Sequence, residues 1–331
     1  MNNYKFEKVF IVAIFIMAVL SFITSTTDWI IKENKPVFYP VSIIVNEVGE
    51  SNFVNFRRGV DRAASEYNVD INFITLFENG NLEDQVIRIK EEIEGGAKAL
   101  LVAPVCGKGV SERIVSATTN KGKSTPLVFF EYKDMSNKIS SVSVDYKEVG
   151  EKLADAVIEE RKDKNKASFA YIVYSKSLGG YNTVLEETIS ERLLDEGFLV
   201  EEMAVDEKGT EFSNKLENFS GEDDSAFVIC LDKSSLLEIS DIVKLKPKYR
   251  WFISGIYGLG NTTSILSNLE EGIINGLVVW DEYSEGYLSV ENAISQIKIF
   301  GTKSQELLEN YYITSKDLRE ERFMKMLYPI D

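Results

Sequence analysis

From residue 41 onward, apolar positions alternate between short continuous runs and stripes spaced three or four apart. Val41-Ser-Ile-Ile-Val45 is a β-branched run and predicts a strand. Phe53, Phe56, Val60, Ala63 and Tyr67 then fall on one helical face, the 3.6-residue period of an amphipathic helix. Ile71 to Phe77 reads as a second strand. Leu82, Val86, Ile89 and Ile93 mark a second helix, which Gly95-Gly96 ends as a C-cap. Ala99-Leu-Leu-Val-Ala103 is apolar on both faces, as in a central strand of a parallel sheet. This β-α-β-α-β order predicts right-handed crossovers, with ligands at the carboxyl ends of the strands.

The alternation continues through a helix at Val110, Ile114 and Ala117, the strand Leu127-Val-Phe-Phe130, and a strand over Ser140 to Asp145 that leaves for a second sheet. From Tyr146 the pattern restarts. Strands are expected at Ser168–Tyr174, Phe198–Val205, Ala226–Leu231 and Tyr249–Ser254, with helices between them. Thr263–Ile274 reads as a helix, Gly276–Trp280 as a strand, Tyr283–Ile299 as a helix and Tyr311–Thr314 as a last strand. The charged tail, Asp317 to Leu327, has helical spacing and is expected to pack back on a lobe.

The N-terminus is different. Lys5 and Lys8 precede an uncharged run from Val9 to Thr27, about 28 Å long as a helix and enough for a bilayer core. The expectation is a single transmembrane anchor with its basic end cytoplasmic, Trp29 at the outer interface and the globular part extracytoplasmic. A cleaved leader is the alternative; its cleavage site would have to resemble Ile23-Thr24-Ser25, which suits processing poorly.

Composition narrows the chemistry. The 331 residues carry 37 Lys+Arg against 53 Asp+Glu, a formal charge of −16. Such a surface repels phosphate backbones, so no nucleic-acid partner is expected. There is no histidine, which removes the usual general base and zinc ligand; no cofactor, no metal and no enzymatic activity are expected. Two cysteines, Cys106 and Cys230, exclude a disulfide scaffold. Each follows an apolar strand and is expected to be a free thiol bordering a cleft.

Several segments together resemble the type I periplasmic-binding-protein superfamily, which includes ribose- and galactose-binding proteins and lac-repressor-type effector domains. They are Phe53-Val-Asn-Phe-Arg-Arg-Gly-Val60, Gly96-Ala-Lys-Ala-Leu-Leu-Val-Ala-Pro104, Val144-Asp145 with Gly150 and Ala154, Cys230-Leu-Asp232, and Gly255, Gly272 and Gly286-Tyr287. The resemblance implies an α/β fold of two Rossmann-like lobes with parallel sheets, joined by a three-stranded hinge and holding a ligand between them. Crossings are then expected near Ser143–Asp145, Ser254–Tyr257 and Trp280–Glu282. The segments become 1–35 for tip, anchor and tether; 36–143 plus 258–281 for the N-terminal lobe; 144–257 plus 282–318 for the C-terminal lobe; and 319–331 for the tail.

The resemblance also implies ligand-binding positions. Phe53 matches a stacking aromatic, with a core residue as the alternative. Glu131 stands where a sugar-binding aspartate is usual, Tyr132 follows it, and Glu50 replaces a common asparagine. Asp232 is kept beside Leu231, and Tyr257 and Trp280 replace an aspartate and a glutamine. Tyr181, which opens the helix after Gly179-Gly180, joins this set. Aromatic faces stack on sugar CH groups and also attract cations beside carboxylates. The expected function is a membrane-tethered solute-binding protein for a small, sugar-like ligand, with an ABC permease or a membrane histidine kinase as partner. The alternative is a pseudo-receptor whose degenerate pocket leaves it a protein-interaction module.

Overall fold

The computed structural model describes residues 3–26, 37–45, 53–76, 81–105, 109–120, 123–133, 138–164, 169–176, 182–206, 209–217, 225–299 and 301–328. It divides into two units, Met1–Phe38 and Tyr39–Asp331. The first contains helix α1 (Asn3–Thr26), whose apolar side chains, among them Phe6, Phe10, Phe15 and Phe22, are exposed. Among the described residues no helix is long and apolar enough to cross a membrane.

The second unit contains two six-stranded sheets. Its elements run β1 (Tyr39–Val45), α2 (Val54–Tyr67), β2 (Val69–Thr75), α3 (Leu82–Gly95), β3 (Ala99–Val102), α4 (Val110–Ala117), the small hairpin β4 (Thr119–Asn120) and β5 (Lys123–Ser124), β6 (Leu127–Phe130) and β7 (Ser140–Val144). Then follow α5 (Tyr146–Lys164), β8 (Phe169–Ser175), α6 (Thr183–Asp195), β9 (Leu199–Val205), α7 (Thr210–Glu217), β10 (Ala226–Cys230), α8 (Lys233–Leu245), β11 (Ile253–Leu259), α9 (Thr263–Glu270) and β12 (Gly276–Trp280). The chain closes with α10 (Glu282–Lys298), β13 (Gln305–Leu308), β14 (Asn310–Ile313) and α11 (Glu321–Leu327).

The first sheet has the order β13-β7-β6-β3-β1-β2, all parallel. The second has the order β14-β12-β11-β10-β8-β9, parallel except for the antiparallel edge strand β14. Each sheet is buried on both faces. Residues of α2 and α10 cover one face of the first sheet and α3 and α4 the other. The second sheet lies between α5 and α6 on one face and α7, α8, α9 and α11 on the other.

Sheet membership corrects the expected segments. Both β11 and β12 belong to the second sheet, so residues 258–281 lie in the second lobe and not the first. The α10 residues Val290, Ala293 and Ile294 enter the first-lobe core and β13 pairs with β7, so residues 282–308 lie in the first lobe and not the second. The chain therefore changes lobe after Val144, after Trp280 and between Leu308 and Asn310; it does not cross at Ser254–Tyr257. The physical reason is register: Tyr257, Gly258 and Leu259 ladder with Gly276, Leu277 and Val278, keeping β11 and β12 side by side. Locally, Pro247–Trp251 forms a 3-10 turn where a strand is expected, and Trp251 is 82% exposed rather than inside a strand.

Candidate functional site

The carboxyl end of β6 meets the amino end of α8 across the two lobes. Asp232 caps α8, and Lys233 is its first helical residue, only 2% exposed. Burial at that level requires partners for an ammonium. Lys233 Nζ lies 2.8 Å from Glu282 Oε1 and 3.4 Å from Glu131 Oε1. It also stands 5.4 Å from the centre of the Phe53 ring, a cation–π distance. Phe53 and Glu131 come from the first lobe and Lys233 from the second, so this ammonium bridges the lobes. A second bridge is the Tyr146 hydroxyl, donating to the Glu131 carbonyl at 2.9 Å.

Two glutamates in the first turn of α10 complete the cluster, where the helix dipole favours carboxylates. The Asn261 amide, turned with its nitrogen toward Glu282, donates to both carboxylate oxygens at 2.7 and 3.1 Å. Glu285 Oε1 accepts from the Glu131 backbone N–H at 2.9 Å, and Oε2 accepts from the Trp280 indole at 2.9 Å. Glu131 has a left-handed φ of 52°, unusual for a residue with a side chain, and this turns its N–H toward Glu285. Burial, reinforced by the Glu131 charge, pushes the Glu285 carboxyl up to about 8. Burial also raises Glu282, against the opposing pull of Lys233. At the crossing after Val144, Lys133 donates to Asp145 at 3.0 Å. Burial would raise the Asp145 carboxyl, but Lys133 and backbone N–H groups hold it below its ordinary value.

Of the residues expected to bind ligand, Phe53 and Glu131 meet at Lys233, with Phe53 3% exposed and edge-on to Phe56 and Phe73. Tyr132 is half-buried, accepts from the Ser111 hydroxyl at 3.0 Å and packs edge-on against Phe129. Asp232 has both oxygens committed to backbone: Oδ1 accepts from Ser235 N at 2.6 Å and Oδ2 from Ser175 N at 2.9 Å. Tyr257 and Trp280, 1% and 2% exposed, lie in the core between the second sheet and α5. The Trp280 ring therefore packs in that core, with only its N–H directed at the cluster through Glu285. Glu50 and Tyr181 lie outside the described residues, as does Cys106. Cys230 is a free thiol, fully buried in the second-lobe core rather than bordering a cleft, and burial pushes its pKa well up.

Lys233, Asn261, Glu282 and Glu285 join this cluster without having been marked by sequence. Two signals were available. A lysine directly follows the Cys230-Leu-Asp232 segment, and two acids three apart open a helix after the apolar Trp280. A separate cavity of about 350 Å³, bordered by Asp281, Leu308, Tyr311, Arg322 and Met326, lies beside the second and third crossings. Among the described residues no group of acids, cysteines or histidines is placed to hold a metal ion.

Comparison with known proteins fits this geometry. A solute-binding protein of an ABC transporter from Agrobacterium vitis, bound with alpha-D-tagatopyranose, superposes with a TM-score of 0.73 at 16% identity, covering 88% of this chain and 100% of that one. A carbohydrate transporter solute-binding protein from Agrobacterium radiobacter, in complex with D-arabinose, gives 0.72 at 16% identity, covering 88% and 99%. GanP, a glucose-galactose binding protein from Geobacillus stearothermophilus, gives 0.70 at 16% identity, covering 86% and 100%. At these identities the likeness is one of fold. No curated protein is significantly similar in sequence. The family model described as "Periplasmic binding protein domain" matches residues 41–303, and the chain belongs to that family.

Proposed function

We propose that this chain is a membrane-tethered, extracytoplasmic solute-binding protein whose lobes close on a small sugar-like ligand. In this reading α1 is an uncleaved anchor and the crevice between β6 and α8 is the ligand site. The captured solute is passed to an ABC permease, or its presence is reported to a membrane sensor kinase. The observation that carries the reading is the meeting of Phe53 and Glu131 with the second lobe at the carboxyl ends of both sheets, where open α/β folds place ligands. Relatives of this fold bound to tagatose and arabinose support a sugar as the first class to test.

The test is thermal unfolding of the full chain in detergent with tagatose, arabinose, glucose and galactose. A ligand that binds only the folded state raises the midpoint, by about 2.7 kcal/mol of stability at a hundred times its Kd. A saturable rise for one sugar supports the reading, and flat midpoints for all of them count against it. Protease added to intact cells should degrade the globular part if the anchor is correct. The pseudo-receptor reading has its own support: Asp232, Tyr257 and Trp280 serve the fold, and Lys233 fills the space beside Phe53.

A further inference from the structure

We propose that the crevice is a seat for a primary ammonium, in which Lys233 stands where the amine of a cationic ligand binds. This rests on the solute-binding reading above and names the class of solute.

The seat and its occupant belong to different lobes. Glu131 and Phe53 are first-lobe residues. Glu282 travels with them because α10 crosses α2 at backbone contact: a Cβ on Gly59 would collide with the Tyr283 carbonyl, and one on Gly286 with the Phe56 carbonyl. Lys233 is carried by α8 of the second lobe. When the lobes part, the ammonium leaves and the seat stays whole: two carboxylates and an aromatic face already spaced around a positive charge.

Charge then decides what refills it. Glu282 is 4% exposed, and both of its donors among the contacts described, Lys233 and the Asn261 amide, are carried by the second lobe and leave with it. A neutral sugar seated there would leave a buried carboxylate without its counter-charge, which is strongly unfavourable. An ammonium on the ligand restores the ion pair and the contact with Phe53, and desolvated cation–π contacts are the stronger ones. The remaining acceptors do not compete, since each Glu285 oxygen already takes an N–H from Trp280 or Glu131. A compact solute with one primary amine, an amino sugar or a similar aliphatic amine, fits this chemistry.

Glucosamine and glucose are the probes, because they share a ring and differ by one amine. They are titrated calorimetrically into the full chain at mildly acidic pH, where the amine is protonated. Lys233→Met removes the resident charge and keeps the stem. Glucosamine should bind this variant at least about ten-fold more tightly than it binds the parent, and about ten-fold more tightly than glucose binds the variant. Glu131→Gln is a second, milder variant at a partly exposed position; relative to the parent it should weaken glucosamine binding about five-fold and weaken glucose binding less. Equal affinity of Lys233→Met for the two probes, or no gain over the parent, overturns the proposal; should that variant not fold, an unchanged glucosamine affinity in Glu131→Gln overturns it. Glucose binding to the parent with no glucosamine preference in any variant also overturns it and leaves the solute-binding reading standing. Glucosamine binding to Lys233→Met while no neutral sugar binds the parent supports the ammonium seat and removes the neutral-sugar ligand.

Discussion

Asp232 caps α8 through one oxygen and ties the end of β8 through the other, so its removal orphans two backbone N–H groups at once. Asp232→Ala should lower stability by about 2–4 kcal/mol in urea titrations, a lost cap plus one unsatisfied donor. Glu285 gives the molecule a pH dependence whose sign is fixed by the direction of its shift. Its folded pKa is raised to about 8 from 4.5, so its contribution is fully present below about 4.5 and is lost as pH rises through about 8. Unfolding free energy should therefore fall across that window by at most about 1.4 kcal/mol per pH unit for one proton. Glu285→Gln should flatten this slope. A parent whose stability does not change between those pH values would show that Glu285 ionises normally.

Helices α2 and α10 meet through Gly59 and Gly286, where a Cβ would strike backbone rather than a yielding side chain. Gly286→Ala should cost about 1–3 kcal/mol or more, because the helices must separate and loosen the contacts of Phe56 and Val290. Chemical denaturation compared with the exposed Gly95→Ala, which meets nothing within 4 Å, checks this. Most elements were legible because their apolar periods are strong: α2, α3, β3, β6, β10 and β12 fall where the pattern puts them. Lobe membership of α9, β12 and α10 was not. Periodicity marks an element's buried face and is silent about which neighbour covers it. Phe53 and Glu131 were legible as positions of the candidate site, whereas Lys233 was not, because an isolated lysine carries no periodic signal and its burial depends on residues 102 and 49 positions away. Asp232 and Trp280 stand at a helix and a strand end, where an interior residue and a ligand-facing one have the same sequence context, and Tyr257 lies within β11.

Across the whole molecule, the C-terminal segment holds both lobes. Phe323 and Leu327 of α11, each 2% exposed, enter the second-lobe core, while Asn55 of the first lobe donates to the Leu327 carbonyl at 3.1 Å. Deleting residues 319–331 should remove roughly 3–6 kcal/mol of apolar burial, an upper figure for two large side chains. It should also broaden the small-angle scattering profile as the lobes lose a tie. A truncated chain as stable as the parent would show that α11 merely rests on the surface.

The exchange of residues 258–281 and 282–308 between lobes also sets an order of events at the ribosome. Five strands of the second sheet and most of its covering helices lie in one continuous stretch, Tyr146 to Trp280. The first lobe, although it begins earlier, lacks α10 and β13 until residue 308 has emerged. The part of the chain made first thus waits, with one face of its sheet covered by α2 alone, while the middle of the chain folds. Stalled nascent chains ending in the tunnel after residue 281 should protect β8, β10 and β11 from exchange before β1 and β3. The part of that face left bare by the missing α10 is then the surface a chaperone would meet.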